Sequence, residues 1–141
     1  MFVGKRGKTV TVSRAEAALY LGKAEQFLDE AKSARERSRH DATMLNAIHA
    51  TISAVDAVTA ALSGRRSADP DHQRAVDLLE EVAGPSEEIN ARVRQVRMLL
   101  AKKNVVEYEA RRANAKEAEE AVERAGRIID WAGETVRRAR V

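Results

Sequence analysis

The chain has 141 residues, the usual length of one domain and enough to bury a core without metal or disulfide bonds. It contains no cysteine, which excludes disulfides, thiolate metal sites and cysteine nucleophiles. The net charge is +3, but basic residues concentrate at both ends and leave the body acidic. This distribution argues against a broad nucleic-acid groove over the body. The tails remain candidate phosphate contacts, although basic termini are usually solvated.

Residues 1–13 are predicted to form a basic N-terminal arm, and residues 14–141 a single helical bundle. The β-branched run Thr9-Val10-Thr11-Val12 is too short for a sheet of its own, so it predicts an arm or one strand that pairs with a partner. No signal peptide and no apolar run of about 18 residues is recognised. We therefore expect a cytoplasmic protein without a membrane segment.

Apolar residues that recur every three or four positions predict five helices. The first begins at the capping box of Ser13 and Glu16 and continues to about Ser38. The second is capped by Asp41 and ends at Gly64. Its interior is almost free of charged residues, so we expect it to be the central helix, covered on more than one face.

Turn and capping residues predict the remaining boundaries. Residues 65–70 have the composition of a turn, and Pro70 is well placed to begin the short third helix. Ser86 caps a fourth helix that nothing interrupts before Glu109. Asn114 caps the fifth helix, which extends to the C-terminus.

Three histidines, His40, His49 and His72, are the residues that suggest an enzyme. No two of them have the i, i+4 spacing of a helical metal site, and the sequence contains no glycine-rich phosphate loop. We therefore predict no metal and no cofactor. His49 lies beside the apolar stripe of the second helix, which favours a partly buried structural histidine over a catalytic base.

The segment before the last helix carries a family resemblance. It reads Lys103-Asn104-Val105-Val106-Glu107-Tyr108, and the last helix then opens with Asn114, Glu117, Ala118 and Glu119. This order resembles the HEPN superfamily, in which a late helix ends in Arg-Asn-x-x-x-(His or Tyr) and the last helix opens with a polar cap followed by Glu, Ala and Glu. The resemblance covers about residues 15–131. It implies an all-α, up-and-down bundle of about five helices.

The same resemblance bears on activity. Ribonuclease members depend on the Arg and the His, which two protomers bring to one composite cleft. Here Lys103 and Tyr108 take those positions. Tyrosine, with a reference pKa near 10, is a poor base at pH 7, and lysine lacks the planar bidentate grip of arginine. The chain is therefore interpreted as a non-catalytic binding module.

Family members act beside small nucleotidyltransferases in toxin–antitoxin or defence settings, or bind nucleotides or proteins. The resemblance thus implies a nucleotidyltransferase partner and weak binding of nucleotide or RNA phosphate. Wide apolar faces on the second and fifth helices predict a homodimer whose two-fold axis lies near the ends of the fourth and second helices. The candidate binding residues are Lys102, Lys103, Asn104, Glu107, Tyr108, Arg111 and Arg112, whose four cations are expected to form a local positive rim.

Three alternatives remain open at this point. The chain could be a metal-independent ribonuclease that uses Arg66 and His72, which also satisfy the loose Arg-to-His spacing, as do Arg35 and His40. It could be a plain helical adaptor unrelated to the family. Within the motif itself, Asn104 could only brace the end of the fourth helix while Tyr108 packs its ring against the last one.

Overall fold

A computed structural model describes residues 7–141. In chain order these residues form β1 (Thr9–Thr11), a 3-10 turn (Arg14–Glu16), α1 (Ala17–Glu36), α2 (His40–Ser63), β2 (Arg65–Ser67), α3 (Gln73–Ala83), α4 (Glu87–Ala101), α5 (Lys103–Tyr108) and α6 (Ala115–Ala139). Five of the helices are long, and the six-residue α5 follows α4 after a break at Lys102. The predicted all-α bundle of about five helices is confirmed.

Helix α2 is the central element, as its apolar sequence predicts. Thirteen of its 24 residues are buried, and α1, α3 and α6 all pack against it. Residues 40–63 are also long and apolar enough to cross a bilayer by length and composition. The expectation that no segment reaches that threshold was therefore wrong. The segment is two-thirds buried within the bundle, however, and its hydropathy is accounted for by its place in the core.

The predicted N-terminal strand pairs within its own chain. β1 and β2 are antiparallel, with Val10 opposite Arg66, so the strand that was expected to pair with a partner pairs with residues 65–67. Residues 65–67, predicted as part of a turn, form the second strand. The reversal occurs at Gly64, whose φ of 67° ends α2 in the left-handed region, and the Gly64 carbonyl accepts a hydrogen bond from Val12 N at 2.9 Å.

Helix caps predicted from the sequence are present at three starts. Ser13 and Glu16 form a capping box, as do Asn114 and Glu117, and Ser86 Oγ accepts a hydrogen bond from Ile89 N. Each cap satisfies backbone N–H groups that the first helical turn leaves without partners.

Two other predicted helix starts were wrong. α2 begins at His40 with Arg39 as its N-cap, because the Asp41 carboxylate instead accepts a hydrogen bond from Ala113 N at 2.8 Å and ties the loop before α6 to α2. α3 begins at Gln73 rather than near Pro70, since Asp71 Oδ1 accepts from Gln73 N at 3.0 Å and holds the preceding residues in a turn.

The fourth helix was predicted to continue to Glu109, but it ends at Ala101. After Lys102 the chain starts α5, which contacts α2 and packs Val106 against the core. The local sequence does not encode this tertiary packing. At this break Lys102 pairs with Glu117, whereas Lys103 lines a separate cavity.

Candidate functional site

The start of α3 and the junction of α4 with α5 enclose a cleft of about 370 Å³. Its lining residues are Pro70, Asp71, His72, Gln73, Leu100, Ala101, Lys103, Asn104 and Tyr108. The fold thus brings the motif residues Lys103, Asn104 and Tyr108 together with His72, the base of the alternative ribonuclease interpretation. We call this space the α3/α5 cleft.

Hydrogen bonds from Arg97 to α3, which we call the polar clamp, join the two walls of the α3/α5 cleft. Arg97 on α4 donates hydrogen bonds to Asp77 Oδ1 at 2.8 Å, Glu80 Oε1 at 2.7 Å and Gln73 Oε1 at 2.9 Å. Burial alone would lower the pKa of Arg97, but the hydrogen bonds that it donates to Asp77 and Glu80 raise it overall. Three acceptors on α3 therefore hold one arginine of α4 and set where Gln73 lies.

Lys103 reaches the α3/α5 cleft with its charge partly offset. Its ammonium donates to Glu107 Oε2 at 2.9 Å across one helical turn, and this hydrogen bond lowers the pKa of Glu107. Tyr108 lies at the rim with 76% of its surface exposed, so the interpretation that its ring packs against the last helix was wrong. The cleft offers a paired cation, an amide and an accessible aromatic ring.

His72 and His49 are electrostatic neighbours on α3 and α2. Burial lowers the pKa of both imidazoles, and the positive charge of Lys103 lowers each further. Both rings are therefore mainly neutral at pH 7. The His49 ring packs 5.5 Å from the Phe27 ring, centroid to centroid, and is partly buried, as predicted.

A second cavity of about 240 Å³ lies on the other side of His72 and is lined by Ile52, Asp56, Arg66, Ser67, Ala68, Asp69, His72 and Ala75. We call it the β2 pocket. Burial raises the pKa of Asp56 to about 7, against the opposing charges of Arg66 and Lys23. Arg66 donates from Nε to the Tyr20 hydroxyl at 3.1 Å and from Nη1 to the Ser67 carbonyl at 3.1 Å.

Sequence reasoning missed Asp56 as a site residue. The available signal was a carboxylate inside the most apolar helix, seven positions after His49 and therefore on the same helical face. Arg66 and His72 were predicted as a pair, and the structure does place both on the wall of the β2 pocket.

The other predicted binding residues lie away from the α3/α5 cleft. Lys102 and Arg111 both pair with Glu117 at the start of α6, at 3.8 Å and 2.8 Å. The Arg111 hydrogen bond contributes most to lowering the pKa of Glu117 to about 2. Arg112 lines a separate cavity beside His40. The four cations expected to form one rim are thus dispersed, and Lys103 alone among them lines the cleft.

Metal ligands do not cluster in the described part of the chain. Among residues 7–141, no group of three or more His, Asp or Glu side chains is arranged to hold a metal ion. The side chains that line the two cavities provide hydrogen-bonding groups, charged groups and the imidazole of His72.

The structure is that of a small all-helical domain with a polar cleft where α4 meets α5. Comparison with protein-family models matches residues 17–136 to the HEPN domain. The chain belongs to the HEPN family. No match is found among curated proteins. Family membership overturns the alternative of a helical adaptor unrelated to HEPN proteins.

Proposed function

We propose that this chain is a non-catalytic HEPN-type binding module whose α3/α5 cleft binds the phosphate group of a nucleotide or RNA. The observation that carries the proposal is the meeting of Lys103, Asn104 and Tyr108 with the start of α3 in one open cleft. Lysine and amide donors recognise phosphate oxygens, and an exposed aromatic ring offers a stacking surface for a base.

Charge in the cleft supports weak rather than tight binding. Glu107 already accepts a hydrogen bond from Lys103, and Asp71 lies on the opposite wall. A phosphate must compete with both carboxylates for the same cation. We therefore expect affinity in the micromolar to millimolar range and a salt dependence equivalent to one or two charges.

We expect no RNA cleavage at the α3/α5 cleft because of the groups that would face a bound phosphate. A phenol at position 108 stands where ribonuclease members have the imidazole base, and Lys103 donates to the Glu107 carboxylate instead of being available to stabilise a transition state. Arg66, the guanidinium of the alternative motif, is held by Tyr20 and Ser67 at the β2 pocket. The two motif positions themselves therefore do not supply an imidazole base beside a fully available cation.

We also propose that the module is a homodimer and pairs with a protein partner such as a small nucleotidyltransferase, in a toxin–antitoxin or defence setting in the cytoplasm. Tyr108 at the rim and Met98 on α4 are large apolar side chains that remain exposed. Covering such side chains favours association, and in a two-fold dimer the α3/α5 clefts of both protomers would lie near the interface.

A ribonuclease remains the second candidate because of one observation. His72 is neutral, lies in the α3/α5 cleft beside Lys103 and also lines the β2 pocket beside Arg66. A neutral imidazole is the group that could accept a 2′-hydroxyl proton. Metal-independent RNA cleavage by the purified protein that disappears in His72→Ala would replace the binding proposal with this one.

Calorimetric titration with mononucleotides tests the binding proposal. Lys103→Ala should weaken binding several-fold because it removes the cation of the α3/α5 cleft. Lys116→Ala, which removes an equal charge from an exposed position on α6, is the matched control and should leave binding unchanged. Weakening by Lys5→Ala but not by Lys103→Ala would move phosphate binding to the N-terminal arm and contradict the proposal.

A further inference from the structure

The β2 pocket contains a carboxyl group that no other part of the fold uses. Asp56 is mostly buried, yet among residues 7–141 its carboxylate forms no ion pair or hydrogen bond, and its only charged influences are Arg66 and Lys23. Burying a carboxyl without a partner destabilises the folded state. Such a group, directed into a cavity, is expected to have a function outside folding.

The lining of the β2 pocket also provides hydrogen-bond donors. Arg66 Nε and Nη1 are committed to Tyr20 and Ser67, which fixes the guanidinium plane and leaves Nη2 without a partner among the described residues. His72, with its neutral ring, completes the polar lining. A rigid acceptor and a rigid donor therefore face one space, whose remaining walls include the apolar Ile52 and Ala75.

The size and chemistry of the β2 pocket restrict which ligands it can bind. A cavity of about 240 Å³ is smaller than typical sites for drug-sized ligands, so it suits one planar ring system with its edge groups. A carboxylate accepts two adjacent N–H donors in bidentate fashion, and a guanidinium donates to a neighbouring carbonyl or ring nitrogen. Among nucleobases, guanine presents two adjacent N–H donors, N1 and N2, next to a carbonyl, O6.

We propose that the β2 pocket is a nucleobase slot in which Asp56 and Arg66 recognise guanine. This inference rests on the proposed function, because His72 lines both cavities and a nucleotide whose phosphate lies in the α3/α5 cleft could extend past it into the slot. Asp56 accepts from guanine N1–H and N2–H, and Arg66 Nη2 donates to O6. The apolar walls contact the faces of the base.

Binding of the four 5′-nucleoside monophosphates and of inorganic phosphate to the full chain tests the slot. Guanosine monophosphate should bind about tenfold more tightly than the other three, as expected for one bidentate contact. Asp56→Asn should remove this preference while leaving inorganic phosphate binding unchanged. Asp130→Asn, which removes one carboxylate from an exposed position on α6, is the matched control and should change nothing.

Proton release is a readout that a purely structural Asp56 would not give. The carboxyl, with its pKa raised to about 7, is about half protonated at pH 7 and must ionise to accept both guanine N–H groups. Calorimetry in buffers of different ionisation enthalpy should thus detect release of about half a proton with guanosine monophosphate and none with Asp56→Asn.

These experiments distinguish failure of the guanine slot from failure of the proposed function. Equal affinity for all four nucleotides, a preference for another base, or an equal loss of every ligand including phosphate in Asp56→Asn would overturn the slot and leave the proposed function standing. Absence of binding by any nucleotide and by phosphate would overturn both. The result expected is guanine preference that depends on Asp56, together with phosphate affinity that depends on Lys103.

Discussion

Arg97 on α4 donates a 2.8 Å hydrogen bond to the buried carboxylate of Asp77 on α3, and this pair holds the two walls of the α3/α5 cleft in place. The guanidinium also donates hydrogen bonds to Glu80 and Gln73, so one side chain of α4 binds three residues of α3. Asp77 is 8% exposed, and Arg74 binds its other carboxylate oxygen at 3.1 Å.

Arg97→Met should therefore lower the free energy of unfolding by about 1–3 kcal/mol, because it leaves a buried carboxylate with one partner fewer. Arg94→Met is the matched control, since Arg94 is exposed on the same helix, and should change stability by less than about 0.5 kcal/mol. Urea denaturation measures both. Equal stability of the two variants would show that the clamp does not hold α3 to α4.

The raised pKa of Asp56 predicts an unusual pH dependence of the free energy of unfolding. Its pKa rises from 3.8 to about 7 on folding, so ionisation costs more in the folded state. The contribution of Asp56 to the free energy of unfolding is most favourable below about pH 4. It declines as the pH rises from about 4 to about 7 and is constant above pH 7. Asp56→Asn should consequently stabilise the protein more at pH 8 than at pH 4.

Thermal or urea unfolding of both proteins at the two pH values measures this difference. Asp130→Asn, in which the carboxylate removed is exposed, should show no such pH-dependent gain. An equal effect of Asp56→Asn at pH 4 and pH 8 would mean that this carboxyl titrates normally in the folded protein.

The unaltered protein should not cleave RNA above background. Lys103→Arg with Tyr108→His restores the guanidinium and the imidazole at the motif positions, and we expect at most a trace of metal-independent cleavage from this double variant. A fluorescent RNA incubated with chelator measures both. Robust cleavage by the unaltered protein would contradict the non-catalytic interpretation, and its loss in His72→Ala would identify the base.

Association should depend on the exposed aromatic ring. With Tyr108 76% exposed beside the α3/α5 cleft, Tyr108→Glu should shift a homodimer towards monomer, because it places a charge where apolar surface would be covered. Light scattering at high micromolar concentration measures the mass. Leu19→Glu, a change at an exposed leucine on α1, is the control and should leave the dimer intact. A single monomeric mass for the unaltered protein would refute the dimer.

Local signals in the sequence predicted much of this fold. Ser13, Ser86 and Asn114 are short polar residues placed just before apolar periodic runs, and capping is decided by such neighbours. The central place of α2 followed from its composition. These features depend on residues within a few positions of one another, which is why sequence patterns reveal them.

The features that the sequence did not predict depend on distant partners. β2 forms because residues 65–67 pair with β1, more than 50 positions earlier, and α4 breaks at Lys102 because α5 packs onto α2. The α3/α5 cleft depends on this break, which places Lys103 next to His72. Asp56 acquires its raised pKa from burial by elements that its own helix does not specify.

Backbone amide chemical shifts during titration with a mononucleotide test whether the α3/α5 cleft is the phosphate site. The largest changes should occur at residues 71–73 and 100–108, and Lys103→Ala should reduce them several-fold at the same nucleotide concentration while Lys116→Ala does not. Changes confined to residues 1–14, or to the cavity lined by His40 and Arg112, would contradict it.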